Sequence, residues 1–329
     1  MNGASRIISG VLARNGARTC PGPIPASTRQ AIIAGAGISE PSALWDAQAV
    51  AASVGGQASG TFEAGSVAIS PQEVEQGTLY FAQAELDAQA AFAKGATGIV
   101  CSKPVGGPHV LVDDTERALE RLARAARNRT RATVIAILGF GRNTAPASLD
   151  QALKLASKGM SFAANTEQGL DLALARLASD NSHALFGIDD VDRPAVLRPH
   201  LLILGSAASR AGGCRAASAL QPGGSALMPA DHSDFACWRA AALDAGAQVF
   251  GYGRKASAEI RLLDRVAGPF GGSLVTADMN GRKLCYTIAA EADAAASLAV
   301  VGAMHMAGAS PGAAAMILAA EAFGNNDAP

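Results

Sequence analysis

Apolar residues in this chain fall into short runs broken by glycine, and the runs alternate with longer stretches at helical spacing. Residues 134–138 are the clearest short run, apolar throughout and partly β-branched, which predicts a parallel strand buried on both faces. Gly139 and Gly141 break it, and Ser148 stands as a cap for a helix beginning at Leu149. The same texture continues to the end. Strands are expected at 184–188, 201–204, 225–228, 248–250 and 260–266, and helices at 169–177 and 235–245. Asn280-Gly281 predicts the tight turn of a hairpin between 271–277 and 283–288, and alanine-rich helices are expected at 289–307 and 311–323.

Upstream the pattern is finer. A helix over 43–54 stops at Gly55-Gly56, strands follow at 66–70 and 78–82, and a helix over 83–94 stops at Gly95. Strands at 98–101 and 109–112 precede Asp113-Asp114-Thr115-Glu116, which opens a helix running to Arg127. Paired carboxylates at a helix start read as caps and dipole partners before they read as an acid–base couple. Arg117, Arg121, Arg124 and Arg127 follow at helical spacing and read as a solvated face. Alternating strands and helices make the whole an α/β protein.

Composition narrows the class. Of 329 residues, 49% are hydrophobic and 17% charged, so the chain has apolar material for large cores and is no disordered tail. A net charge of −1 argues against general nucleic-acid or membrane-surface binding, and no run of apolar residues is long enough to span a bilayer. Cys20, Cys101, Cys214, Cys237 and Cys285 are scattered without a C-x-x-C pair; they fit a reducing cytoplasm, and four of them read as inert packing groups. The five histidines show no metal-binding spacing. Three segments result: 1–42, a mobile extension with Arg6, Arg14, Arg18, Arg29 and the prolines Pro21, Pro23 and Pro25; 43–130, a small α/β domain; and 131–329, a second α/β domain.

Candidate chemistry centres on 139–144. A strand, a glycine turn and a helix together can cradle a phosphate on backbone N–H groups. A working phosphate loop needs a lysine to neutralise charge and a hydroxyl to hold magnesium, and here that lysine is missing. As a dinucleotide fingerprint, Gly139-x-Gly141-x-x-Thr144 lacks the third glycine. The same residues also suit an ordinary strand-to-helix turn.

The order of pieces resembles the Mur ligases, ATP-dependent enzymes that build the peptide of peptidoglycan, and most of all the MurF type, which adds D-alanyl-D-alanine to a UDP-N-acetylmuramoyl tripeptide. Ala93-Lys-Gly-Ala96 with Val110-Leu-Val-Asp-Asp-Thr115 resembles the end of the family's first domain. Val134-Ile-Ala-Ile137 falls at its ATP-loop strand, and Leu220-Gln-Pro-Gly-Gly-Ser-Ala-Leu-Met-Pro-Ala-Asp231 is similar to the strand leading to the adenine side. Gly251-Tyr-Gly-Arg254, Arg261-Leu-Leu-Asp264 and Ser297-Leu-Ala299 continue the likeness. It implies a Mur-type first domain followed by a Rossmann-like, P-loop-type central domain, with the family's third domain absent.

The departures fall on the chemistry. Against the family's T-G-S-x-G-K-T-x-T, this chain has Leu138-Gly-Phe-Gly-Arg-Asn-Thr-Ala-Pro146, so Asn143 replaces the lysine and Arg142 the glycine. The paired asparagines become Asn165-Thr166, and the magnesium glutamate falls near Gly187. The segment of the carboxylated lysine, 208–219, holds no lysine, and the adenine-side asparagine is His232. The late R-H-x-x-x-N run is Glu291-Ala-Asp-Ala-Ala-Ala296, and the uridine-contacting D-S-R is Ser70-Pro-Gln72. The expectation is a vestigial nucleotide loop (Gly139, Gly141, Arg142, Asn143, Thr144) in a catalytically degenerate cytoplasmic protein. No catalytic or metal residue and no cofactor is assigned, and the chain is expected to act as a scaffold or regulatory partner, or as a homo-oligomer. Alternatives are an ATP- and magnesium-dependent ligase completed by another chain, and a nucleotide-binding module that does not hydrolyse.

Overall fold

The run 134–138 is a strand buried on both faces, and the largest sheet is built around it. The computed structural model describes residues 43–82, 87–141, 143–189, 194–268 and 272–324. The expected extension 1–42 and Arg142 lie outside the described residues.

The chain begins with β1 (Trp45–Asp46) and α1 (Ala47–Val54), capped by Asp46 Oδ1 on Ala49 N and ended by Gly55 in the left-handed conformation. A small sheet follows: β2 (Gln57–Ser59), β4 (Ser66–Ala68), β5 (Thr78–Phe81), β6 (Ala96–Cys101) and β7 (His109–Leu111), in the order β2-β7-β6-β5-β4. Only β2 runs antiparallel to its neighbour. β3 (Glu63–Ala64) pairs with β1. α2 (Asp87–Ala93) covers one face and α1 with α3 (Thr115–Arg129) the other. Asp114 caps α3, accepting from Glu116 N and Arg117 N, as its position at the helix start predicts. Arg127 departs from the expected solvated face. It is buried, and its Nε donates to Leu197 O at 2.5 Å and its Nη2 to Arg198 O at 2.7 Å, because α3 packs on the next segment of chain.

The second sheet contains β8 (Thr133–Leu138), β9 (Ser161–Asn165), β10 (His183–Gly187), β11 (Leu201–Leu204), β12 (Ser225–Pro229), β13 (Gln248–Gly253), β14 (Ile260–Ala267), β15 (Gly272–Met279) and β16 (Arg282–Ala289). Their order is β16-β15-β14-β13-β12-β11-β8-β10-β9. It is parallel from β9 to β14 and ends in the antiparallel hairpin β15–β16, turned by Asn280 and Gly281, both at positive φ. α4 (Ala145–Ala156), α8 (Ala294–Met306) and α9 (Pro311–Gly324) cover one face. α5 (Leu170–Ala175), α6 (Arg210–Ser218) and α7 (Phe235–Asp244) cover the other. Alternate residues of β8 feed the two cores, Ile135 and Ile137 on the α4 side, Val134, Ala136 and Leu138 on the other. The strand β9 and the helix α6 have no strong apolar run in the sequence and were not expected from it; both form under cover of neighbours.

The described residues form one compact unit. α5 belongs to both cores: Leu172 and Ala175 pack with Val67 and Trp45 of the small sheet's layer. Trp45 Nε1 donates to Ala175 O at 2.8 Å, the Arg129 guanidinium lies 3.6 Å over the Trp45 ring, and Arg176 bonds Val67 O and Glu73.

Candidate functional site

β8 lies between β10 and β11; the chain runs from it to β9 and β10 on one side and then crosses to β11 on the other, which makes its carboxyl end the switch point of the sheet, where open α/β sheets form their crevice. The residues singled out from the sequence sit there. Gly139 and Gly141 adopt φ of +81° and +55°. Gly139 is pressed against the β11–α6 link: a Cβ on it would stand 2.3 Å from Ala208 N, while Gly139 O accepts from Ala207 N at 2.8 Å and Leu138 O from Gly205 N at 2.8 Å. Gly205 answers in kind, since a Cβ there would meet Gly139 O at 2.3 Å. Two glycine turns therefore pack backbone to backbone.

The helix start that would seat an anion is occupied by the chain itself. α4 begins at Ala145, so Ser148 is inside the helix rather than its cap, because Pro146 with its fixed φ suits the first turn. Thr144 makes no side-chain cap bond; Asn143 Oδ1 accepts from Ala145 N at 2.9 Å instead, and Asn143 N donates to Phe140 O. Pro146 has no N–H at all. Two of the first donors of the helix are thus used or missing. Ser148, fully buried, donates to Glu321 Oε1 of α9 at 2.7 Å, which sets a carboxylate beside the positive end of α4.

The glycine turn and the stretch Glu291–Ala296 do meet. Asn143, Thr144, Ala145 and Ser148 face Ala292, Asp293 and Ser297, with Glu321 closing the far side. The space between them is about 10 Å³, room for one water. A nucleotide needs several hundred Å³. Other supports of the wall are used internally: Asp293 Oδ1 accepts from Ala295 N to cap α8, and Tyr286 Oη and Ser297 Oγ lie 2.9 Å apart. Burial, then the Asp293 charge, pushes the Tyr252 hydroxyl well up, and it donates to Leu204 O.

Elsewhere along the crevice the groups are also committed. Gly187 ends β10, where the magnesium glutamate would stand, and its oxygen accepts from Thr166 N and Oγ1. Asp231 accepts from Arg254 N and Lys255 N. His232 stacks on Trp238 at 4.4 Å between ring centroids. Ser70 Oγ bonds Gln72 in the small sheet's layer. Among the described residues no group of three metal-ligating side chains converges. At this turn the family's lysine position is an asparagine, the Ala145 N–H is taken by Asn143, Pro146 offers none, and the nearby Glu321 carboxylate carries the same sign of charge as a phosphate.

Sequence reasoning placed Gly139, Gly141, Asn143 and Thr144 in one loop, and the structure does so; Arg142 lies outside the described residues. It missed Glu321, whose only signal is a lone acid in an otherwise alanine-rich helix.

No protein-family model matches the chain, and no curated protein matches it by sequence. Solved structures do. MurF from Acinetobacter baumannii is similar at 17% identity with a TM-score of 0.66, the match covering 83% of this chain and 67% of that one. A UDP-N-acetylmuramoylalanyl-D-glutamyl-2,6-diaminopimelate–D-alanyl-D-alanyl ligase structure, also from Acinetobacter baumannii, gives 17% identity, a TM-score of 0.67, and coverage of 83% and 68%. The MurF ligase of Thermotoga maritima in complex with ADP gives 15%, 0.57, 77% and 65%. At these identities the likeness is one of fold. The chain has the Mur-ligase fold of the MurF type, a small α/β layer followed by a Rossmann-like, P-loop-type sheet, and it spans about two thirds of the length of these proteins.

Proposed function

We propose that this chain is a catalytically silent Mur-ligase-like protein that acts through protein contacts, as a scaffold or regulatory partner linked to peptidoglycan precursor synthesis. On this reading it holds neither ATP nor magnesium. The observation that carries the reading is the narrow space at the head of α4, about 10 Å³ between Asn143, Thr144, Asp293 and Glu321. Ligation of the MurF type passes through an acyl phosphate, so charge must be stabilised on the transferred phosphoryl group, and losing one such donor costs about 10²–10³ in rate. Asn143 supplies no charge, and Glu321 supplies the wrong one.

Action through contacts is supported by apolar side chains left in solvent on the outer layer. Met316 is 65% and Phe323 47% exposed on α9. Among the described residues no helix is long and apolar enough to cross a membrane.

The test is phosphate release from ATP with magnesium, UDP-N-acetylmuramoyl tripeptide and D-alanyl-D-alanine, run with the native protein and with Asn143→Lys. Both should match the blank, since one lysine restores neither the helix donors nor the space. Turnover that disappears in Thr144→Ala would overturn the reading in favour of a live ligase.

A further inference from the structure

α6 and α7 lie side by side on one face of the large sheet, and a single close contact sets their register. A Cβ on Gly213 would stand 2.3 Å from Trp238 Nε1, so the fully buried indole takes that space, and its Nε1 donates to Arg210 O at 3.2 Å. The next residue on α6 is Cys214, and the preceding one on α7 is Cys237. The register set by Gly213 and Trp238 brings their Sγ atoms to 2.7 Å. Both cysteines are half-buried, so small oxidants reach them. The sequence reading of these thiols as separate packing groups saw no partner for either, because 23 positions of chain separate two residues that the helices place in contact.

The pair is chemically unequal. A hydrogen bond from the Cys214 thiol, and then the Arg210 guanidinium, hold the Cys237 thiol below its ordinary value. Burial, and then Cys237 itself, push Cys214 up to about 11. Such an arrangement gives one attacking thiolate and one resolving thiol. The other described cysteines lack it: Cys101 is buried and raised by that burial, and Cys285 is exposed with Thr276 Oγ1 at 3.7 Å.

We propose that Cys214 and Cys237 form a reversible redox site, oxidised by hydrogen peroxide or an organic hydroperoxide to an intramolecular disulfide that staples α6 to α7. The Cys237 thiolate attacks the terminal peroxide oxygen and breaks the O–O bond, giving a sulfenic acid while the leaving hydroxide or alkoxide takes up a proton to become water or an alcohol. Cys214 sulfur then attacks Cys237 sulfur, its proton leaves with the sulfenic hydroxyl as water, and the S–S bond forms. Two thiols lose two electrons, and the peroxide gains them. A dithiol reductant reverses the step. The staple bears on the candidate site through the link ahead of α6, whose Ala207 N and Ala208 close on Gly139.

The test uses the full chain, reduced and then freed of reductant. A small excess of hydrogen peroxide should yield a cross-linked Cys214–Cys237 peptide in a non-reducing digest. The disulfide closes a loop of about two dozen residues, so Tm should rise by roughly 5–10 °C and return on adding dithiothreitol. In the reduced protein, alkylation at neutral pH should reach Cys237 at least about tenfold faster than Cys214. Cys214→Ser should stop at a trappable sulfenic acid on Cys237 with no gain in Tm. Cys285→Ser should keep the whole response, and it carries the test if Cys214→Ser fails to fold. Oxidation that consumes Cys285 while Cys214 and Cys237 stay free thiols would overturn the proposal, as would a cross-link running through Cys285 or Cys20.

Discussion

Ser148 Oγ and Glu321 Oε1 lie 2.7 Å apart across 173 positions of sequence, joining the first turn of α4 to the last turn of α9. The Ser148 oxygen is also 3.1 Å from Thr144 O, and a hydroxyl has one proton, so the shorter bond to the carboxylate takes it. α9 thereby lies across the end of the helix that a phosphate loop leaves open. The fold keeps the switch-point geometry, and at the head of α4 its own side chains bond one another.

Breaking that pair tests both its stability and its consequence. Glu321→Ala should cost about 1–2 kcal/mol, a hydrogen bond to a charged group at a half-buried site. By thermal melting that is a fall in Tm of about 2–6 °C, and Glu321→Gln, which keeps an acceptor, should lose less than half of it. Neither variant should bind ADP or ATP in calorimetric titration, because Asn143 still takes the Ala145 N–H and Pro146 still offers none. Micromolar nucleotide binding in Glu321→Ala would mean that the carboxylate alone had been excluding the ligand.

The paired glycine turns make a sharper comparison. Gly139→Ala meets two obstacles, φ of +81° and a Cβ 2.3 Å from Ala208 N, whereas Gly159→Ala meets only φ of +88° with nothing within 4 Å. The conformational penalty alone is about 1–2 kcal/mol, and an enforced clash adds about 1–3 kcal/mol. Chemical denaturation should therefore find Gly139→Ala the more destabilised by at least about 1 kcal/mol. Equal midpoints would show that the β11–α6 link moves aside freely.

Legibility in the sequence followed burial. β8 was readable because 134–138 is apolar on both faces, and the β15–β16 hairpin because Asn280-Gly281 demands positive φ. α9 was readable from its alanine. By contrast β9 has the burial pattern of an edge, with Phe162 and Ala164 only partly covered, and gives no run to see. α6 holds two glycines, poor helix formers, and Gly213 is kept by its contact with Trp238 rather than by propensity. The turn 139–144 was readable because its glycines and the Thr144 hydroxyl mark it locally. Glu321 and the Cys214–Cys237 pair were not, since both arise from contacts between distant segments. Arg127 was misread for a related reason: helical spacing says which residues share a face, not what later chain covers it.

His200 should make stability depend on pH. Its Nδ1 accepts from Val134 N at 2.9 Å, and burial, then the neighbouring Arg127 charge, lower its pKa from the ordinary value. The folded state therefore binds fewer protons than the unfolded chain once pH falls below about 6.5. Stability from this group is complete above that pH and declines below it, levelling off beneath the folded value. Melting curves from about pH 8 to about pH 5 should fall more steeply for the native protein than for His200→Gln, which cannot be protonated. Parallel profiles would place the acid sensitivity elsewhere.

The methionines of the last two helices separate the core from the proposed contact surface. Met304 and Met316 belong to one Met-rich region in sequence, and an interaction reading of the chain would treat them alike. They are not alike in the fold. Met304 is fully buried among Ile288, Leu298 and the strands beneath α8, whereas Met316 is 65% exposed on α9 with Phe323 on the same helix. A glutamate at position 304 would be buried without a partner, so Met304→Glu should unfold the protein or lower Tm by more than ten degrees, whatever the chain binds. Met316→Glu should leave Tm within about 2 °C, since an exposed substitution away from the core costs little. Its effect should appear only in association: sedimentation velocity should show the native protein as an oligomer, or as a complex with a co-purified partner, that Met316→Glu converts to a folded monomer. A native protein that sediments as a monomer and retrieves no partner would leave Met316 and Phe323 as ordinary exposed apolar residues and remove the support for action through contacts on this face.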